Sequence, residues 1–421
     1  MIKRFLTRCL LCEHNNTLRV TLGINTHQNH SFECQGCGEV GEINLTLDFN
    51  DRERFDIPGF GRVTFPRVVG ADLKNAEWSE VEGSITNLDP TFLVQEDDLH
   101  KDRIFPWMRA ASSVIKPAML ESAQPGKLQI GDILDQAGLT RGIREGISAT
   151  LKAYELHERG RKDLAEIKLK ELERISGAVV ADLPNALAMI CAAILGRQSK
   201  DDVEKINGLA RLALQKNPGE FQRMRSRLLS DIAPDFLERQ LGVLKDYRKG
   251  YDQFGQAWFY AAEKQSLSDK LHPSTRDLNS VKYFYGTAFE HLSSGLVLPA
   301  LLNNILNGRP FDQFEHIELK TYLSLDKSRR AQCIQNVADF GPLWDEFNST
   351  LRNGSHHQGL RLKPDSRYII QYRTGDSKTW NDISYSEYLV KCNRIQICLM
   401  KLLSLQFFVF GVSAFSPKAV V

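Results

Sequence analysis

The chain changes its hydrophobic rhythm twice. Near the start, apolar and polar positions alternate in Leu18-Arg-Val-Thr-Leu22 and in Ile43-Asn-Leu-Thr-Leu-Asp-Phe49, the two-residue period of strands with one face toward a core. From Asp51 to about Lys116 the period is lost. Pro58-Gly59, Gly61, Pro66 and Gly70 punctuate short β-rich runs, Arg62-Val-Thr-Phe65 and Ser84-Ile-Thr-Asn87, with Trp78 and Trp107 as expected packing anchors. Pro117 and Ser122-Ala-Gln-Pro-Gly126 read as a linker. Beyond it the helical period takes over, as in Val203, Ile206, Ala210, Ala213 and again in Leu237, Leu241, Leu244, and it persists to about Gln265. Helix starts are marked by Asp182 before Pro184, with a stop at Gly196, by Asn217 before Pro218 with Glu220 following, and by Asp235 with Glu238 three positions on.

Toward the C-terminus, Ser280 to Leu306 predicts one apolar helix or two, interrupted at Pro299. Lys320 to Leu351 predicts another, with Ile334, Val337, Ala338, Leu343, Trp344 and Phe347 along roughly one face. Asp365 to Ile383 alternates around Thr374-Gly375-Asp376, a hairpin pattern, and Tyr388 to Phe408 predicts a strongly apolar final helix. Within it Phe407, Phe408, Val409 and Phe410 are consecutive, more than one helix face can bury in a single chain, so a homodimer surface is expected. Gln396, Lys401 and Gln406 recur through Ile395 to Phe415 and would be costly in lipid, so no membrane span is expected. The expected architecture is therefore mainly α. Residues 1–50 form a β-rich module, 51–120 a small β-containing or extended segment, 121–270 a helical scaffold and 271–421 a helical domain with a β-hairpin insertion; 421 residues exceed one typical core.

Charge adds local information. A net charge of +2 announces no global attraction to nucleic acid. From Leu351 to Lys401, however, nine Lys and Arg stand against four Asp and Glu, whereas Met1 to Asn50 has four against five. If RNA is bound, the C-terminal region is the expected surface. Arg141 to Arg174 carries nine basic and seven acidic residues and reads as a solvated helix face.

The eight cysteines divide unevenly. Cys191, Cys333, Cys392 and Cys398 lie in apolar helical sequence and read as small core residues. Cys9-Leu-Leu-Cys12 and Cys34-Gln-Gly-Cys37, separated by 21 residues, instead form two Cys-x-x-Cys turns. Such a pair of knuckles can give one zinc ion a tetrahedron of thiolates, and the flanking strands make the module similar to a zinc ribbon. The zinc is expected to be structural, since four thiolates leave no position for water. His14, His27 and His30 are spare ligand types. Met1 to Leu6 runs straight into the first pair, so no secretory signal is expected. The expected compartment is a reducing cytoplasm.

The remaining chemistry centres on Leu351-Arg-Asn-Gly-Ser-His-His357. A guanidinium can hold a phosphoryl group through its fixed fork, an imidazole can move a proton near neutral pH, and an amide can orient either. The pattern Arg352-Asn353-x-x-x-His357 resembles the signature of the HEPN superfamily, helical bundles that include metal-independent endoribonucleases of defence and toxin systems. The hairpin before the last helix departs from the compact family pattern. The resemblance implies Arg352, Asn353 and His357 as catalytic residues, with no catalytic metal, paired across a homodimer and cutting RNA by attack of a ribose 2′-hydroxyl to leave a 2′,3′-cyclic phosphate. His356, Arg361 and Lys363 are the nearby candidates for substrate binding. A different class also fits, a non-catalytic dimerisation or sensing protein whose ribbon meets a regulatory protein or nucleic acid. In a purely structural reading, Arg-Asn-Gly is a helix stop with Gly354 as its left-handed cap.

Overall fold

The computed structural model describes residues 2–21, 27–46, 83–102, 143–356, 359–364, 366, 368–373 and 379–411. Trp78, Trp107, the run Arg62 to Phe65, the linker at 117–126, Thr374 to Asp376 and His357 lie outside them. The described residues are mainly α-helical, with small sheets at both ends of the chain.

The N-terminal module is built from β1 (Ile2–Arg8), β2 (Asn15–Thr21), β3 (His27–Glu33) and β4 (Val40–Thr46). Antiparallel pairs β1–β2 and β3–β4 each flank one knuckle, and β5 (Ser84–Leu88) adds to β2 in parallel, Leu18 opposite Thr86. Phe5, Leu18, Val20, Phe32, Ile43, Leu45 and Leu88 make its small core. The alternation in β2 suggested an exposed Arg19, yet that residue is 3% exposed. The chain after β5 covers the second face, where Arg19 Nη1 donates to Asn87 Oδ1 at 2.9 Å and Nε lies 3.3 Å from Asp102. A guanidinium taken out of water needs such partners, and the two groups supply them.

β6 (Val94–Gln95) pairs with β7 (Leu271–His272), tying this module to the helical body. Further ties run along the same strap. His30 Nδ1 meets Thr275 Oγ1 at 3.1 Å, Ser31 Oγ donates to Arg276 O at 2.7 Å, and Arg276 Nη2 reaches Glu33 at 2.8 Å.

Helices α1 (Glu96–Leu99), α2 (Ile143–Glu158), α3 (Lys162–Ser176), α4 (Leu183–Leu195), α5 (Lys200–Lys216), α6 (Pro218–Arg227), α7 (Phe236–Lys249) and α8 (Tyr251–Ala262) precede β7. Two of the expected caps form: Asp182 accepts from Asn185 N at 2.8 Å and Asn217 from Glu220 N at 3.1 Å. Asp235 does not cap through its side chain, because that carboxylate is taken by Arg239 at 2.6 Å. The charged stretch is split between α2 and α3, where Lys152 pairs with Glu155 and Lys168 with Glu171 on the helix surface.

After β7 come α9 (Leu278–Val281), α10 (Phe284–Gly295) and α11 (Val297–Leu306), so the expected interruption falls at Leu296, and Pro299 sits in the first turn of α11 where its missing N–H costs nothing. The long helix expected over Lys320 to Leu351 is not formed. Instead α12 (Leu319–Ser324) is followed by 3-10 turns at Lys327–Ile334 and Ala338–Leu343, and then by a separate helix α13 (Ser349–His356). Gly341 and Pro342 lie within that stretch, and proline lacks the N–H and crowds the preceding carbonyl, so an α-helix cannot run through it. The expected hairpin is a three-stranded antiparallel sheet, β8 (Leu360–Leu362), β9 (Ile369–Tyr372) and β10 (Asn381–Ser384), with β9 in the middle.

The final helix, α14 (Tyr385–Phe410), is capped by Ser384, whose Oγ accepts from Glu387 N at 3.0 Å. It runs through the centre of the body, and one continuous apolar core extends from Leu93, beside β6, to Phe410 on α14. Val409 and Phe410 are buried in it, while Phe407 and Phe408 are half-buried against it. Two of these four residues are thus buried within one chain and two stay partly exposed. Lys401, which made a membrane span costly, is buried beside Asp202 at 2.8 Å. No helix among the described residues is long and apolar enough to cross a membrane.

Candidate functional site

The two candidate sites lie in different parts of the chain. At the N-terminus, Cys9 and Cys12 sit between β1 and β2, Cys34 and Cys37 between β3 and β4. The turns are built alike. Glu13 N donates to Cys9 O and Gly38 N to Cys34 O, each at 2.8 Å, and the residue four after each first cysteine is left-handed, with φ of 58° at Glu13 and 79° at Gly38. The sulfur atoms all lie within 4.8 Å of one another; Cys9 to Cys37 is 3.7 Å and Cys12 to Cys34 is 3.6 Å. Metal–sulfur bonds of ~2.3 Å in a tetrahedron put sulfurs ~3.8 Å apart, so the four can hold one metal ion.

Asn16 Nδ2 lies 3.4 Å from Cys34 Sγ. Burial works against the Cys34 thiolate, but that amide, the backbone of Cys37 and Gly36 and the Cys12 thiol outweigh it and bring Cys34 down to about 6. The spare histidines have other work. His14 Nε2 is 2.9 Å from Ser84 Oγ, and His30 is buried between Thr275 and Gln28. Of the His27 side chain nothing is described.

The second site is the motif helix. Asn348 starts α13, accepting from Leu351 N at 3.0 Å, and Tyr285 OH accepts from Asn348 N at 3.2 Å. Leu351 is fully buried and anchors the helix, so Arg352 and His356, one turn apart, project from a neighbouring face. Gly354 is inside the helix rather than a left-handed stop, and its bare Cα permits close approach of β9; a Cβ there would lie 3.1 Å from Tyr372 Cβ.

Arg352 and His356 both face α10. Arg352 Nε donates to Glu290 Oε1 at 2.6 Å, Nη2 reaches the same oxygen, and Nη1 donates to Asn353 Oδ1 at 2.6 Å. Three of the five guanidinium N–H groups are thus committed, leaving two for a further acceptor. One turn back along α10, Gly286 makes room for His356, since a Cβ at 286 would lie 2.7 Å from His356 Cδ2. The site is half-open, with side-chain exposures of 27% for Arg352 and 30% for Glu290, and His356 is exposed.

Positive charge gathers around it. Lys327 Nζ meets Ser294 Oγ at 2.5 Å, one turn along α10 from Glu290. Burial first, then the Arg330 guanidinium, opposed by Glu290 and joined by Arg239 and Arg352, holds the Lys327 amine below the ordinary lysine range. Such a cluster favours an anion. Glu346, near the start of α13, is engaged elsewhere: Lys391 lies 3.2 Å away and Tyr285 OH donates to it at 3.1 Å. Burial nevertheless raises its carboxyl, against the pull of Lys391.

The structure thus brings Arg352, Asn353 and His356 together, while His357 lies outside the described residues. Arg361 and Lys363 are on and just after β8, beyond α13. Lys363 donates to Asp382 Oδ2 at 2.7 Å, and Arg361 lies over the Trp380 ring, 4.1 Å from its centroid. Sequence reasoning missed Glu290, Gly286 and Lys327. A signal for the first was present, because Glu290 is the only acidic residue between Ser280 and Leu306, a lone carboxylate in an apolar run. No family model, no curated protein and no solved structure matches this chain.

Proposed function

We propose that this protein is a metal-independent endoribonuclease in which Arg352, Asn353 and the adjoining histidines form the cutting site. The observation that carries the reading is the placement of Arg352 beside an exposed imidazole, His356, within a cationic cluster, with the guanidinium held by Glu290 and Asn353. This combination suits phosphodiester cleavage without a metal. As the ribose 2′-hydroxyl attacks its own phosphate, charge grows on the phosphoryl oxygens, and the two remaining N–H groups of Arg352 are suited to stabilise it. His357, at the spacing of the HEPN signature, takes the proton from the 2′-hydroxyl or returns one to the leaving 5′-oxygen, and His356 is the second imidazole within reach. The products are a 2′,3′-cyclic phosphate and a 5′-hydroxyl, and DNA is not a substrate because it lacks the attacking group. In this reading two copies of the chain face their motifs toward one another, and the setting is a defence or toxin-like system of the cytoplasm.

The N-terminal cysteines hold one structural zinc in the same proposal, fixing the module that straps onto residues 271–277. Chromatography and mass analysis of the RNA ends test the chemistry: cyclic phosphate termini support it, and 5′-phosphate ends contradict it.

The ion pair itself favours a second reading. A guanidinium already neutralised by Glu290 can serve as a cross-tie between α10 and α13, in a dimerisation or sensing protein that binds RNA or a regulatory protein without cutting. Unchanged RNA after prolonged incubation with zinc-replete protein would favour it.

A further inference from the structure

We propose that the open stripe of α10 is a track for single-stranded RNA, with the scissile phosphate on Arg352, the neighbouring phosphate on Lys327 and a base of the adjoining nucleotide stacked on Tyr283. The proposal deepens the cleavage reading and rests on it for the fate of the RNA, not for its capture. α10 is almost wholly buried: of its 12 residues only Thr287, Glu290 and Ser294 are not. Spacings of three and four place them on one side of the helix, so α10 opens through a single stripe.

The groups of the site line up along that stripe. His356 packs on Gly286, Arg352 pairs with Glu290 and Lys327 bonds to Ser294, positions four apart on one helix face. Successive turns carry them ~6 Å apart, close to the repeat of an extended single-stranded backbone. Tyr283 lies in the turn before α10, on the same side as Gly286 and Thr287, and is 44% exposed. From Tyr283 to Glu290 the axis advances ~10 Å, which leaves room for one base and its sugar between the ring and Arg352. Stacking of this kind needs an unpaired base, so duplex RNA does not fit the track.

Lys327 is held for the purpose of binding an anion rather than an acid of its own chain. Ser293 Oγ donates to Lys327 O at 2.6 Å, and Lys327 Nζ donates to Ser294 Oγ at 2.5 Å, so α10 fixes both its main chain and its amine. Ser294 Oγ in turn donates to Glu290 O at 2.9 Å, and a hydroxyl accepts from the amine without neutralising it. One of three ammonium N–H groups is used and two remain. Burial comes first among the influences on this amine, then the guanidiniums of Arg330, Arg239 and Arg352, against Glu290 acting through space. A phosphate oxygen beside the amine offsets that repulsion.

The test is fluorescence anisotropy at several salt concentrations with a labelled, 2′-O-methylated single-stranded RNA oligonucleotide, which binds but cannot be cut. Lys327→Met, which keeps the apolar stem and removes the charge, should lower the slope of log affinity against log salt by roughly 0.7. Lys327→Arg should keep the slope. Tyr283→Ala should weaken binding roughly 5- to 100-fold with the slope unchanged, and Tyr283→Phe should stay within about threefold of the parent. A merely structural role would not sort one residue to the slope and the other to the affinity. The parent's slope in Lys327→Met, undiminished affinity in Tyr283→Ala, or a parent protein that does not bind the oligonucleotide overturns the track. The sorted losses, with no cleavage of natural RNA by any form of the protein, leave the track standing and remove the nuclease. Cleavage of natural RNA, with binding unchanged in every variant, keeps the nuclease and removes the track.

Discussion

Arg352 on α13 and Glu290 on α10, 62 positions apart in sequence, are joined by two guanidinium N–H groups that converge on one carboxylate oxygen. The second oxygen of Glu290 takes no part, so the pair orients the guanidinium without occupying its whole fork. Both side chains remain more than a quarter exposed, and pairs of this kind contribute roughly 0–1 kcal/mol to stability. Glu290→Ala should therefore shift urea unfolding by less than about 1 kcal/mol while slowing RNA cleavage by an order of magnitude or more. A large loss of stability with unchanged cleavage per folded molecule would make the pair a structural tie instead.

A second expectation concerns Gly286. Alanine is favoured over glycine inside a helix by roughly 0.5–1 kcal/mol, and the atom in its way is an exposed imidazole that can rotate aside. Gly286→Ala should leave the thermal midpoint unchanged or raised, yet displace His356 from Arg352 and lower the cleavage rate. The comparison of melting curves with single-turnover rates checks both halves. A stable variant with undiminished rate would remove His356 from the mechanism.

These two relationships mark what the sequence could and could not reveal. The cysteine spacing, the strands beside it and the apolar Tyr388 to Phe408 run are local signals, and each element forms close to its expected bounds. The Lys320 to Leu351 helix does not form despite its apolar periodicity, because the backbone chemistry of Gly341 and Pro342 decides that stretch. Long-range pairings left almost no local trace. β5 crosses back to β2 beside Arg19, and Glu290 meets Arg352, through contacts fixed only when the whole core assembles. The burial of Val409 and Phe410 had no local trace either, since the core they join is contributed by helices distant in sequence.

Metal content gives the third prediction. Protein purified without chelator should carry one zinc per chain by elemental analysis. Cys12 and Cys37 are exposed, so a strong chelator can reach the site. Because structural zinc contributes on the order of 10 kcal/mol to small modules, its removal or Cys34→Ser should unfold residues 2–46 while α2 to α14 keep their helical signal. Fewer than one zinc per chain would contradict the assignment.

Acid should destabilise the fold, and the sign follows from three groups. Burial lowers His30 to about 3 and, with help from Arg239, His291 to about 3, so both stay neutral in the folded chain while the unfolded chain protonates near 6.5. Their contribution is complete above pH 6.5 and is lost as pH falls toward 3, at roughly 1.4 kcal/mol per pH unit for each. Asp89 opposes them: burial raises it to about 6, so its contribution grows as pH falls from 6 to 4. Two histidines against one aspartate leave a net loss of stability between pH 6.5 and 4. Urea unfolding at pH 7.5 and 5.5 reads it, and His291→Gln should flatten the slope. Equal stability at the two values would show that the histidines accept protons in the native state.

The central claim is tested most directly by incubating purified, zinc-replete protein with single-stranded RNA in enough EDTA to remove free divalent cations, beside His357→Ala and Arg352→Lys. The account expects cleavage near neutral pH in the parent, a fall of roughly 10²–10⁴ for His357→Ala, and a marked loss for Arg352→Lys, because an ammonium cannot hold Glu290, Asn353 and a phosphate at once. Cleavage that persists in His357→Ala, or that appears only when Mg²⁺ is added, would contradict it.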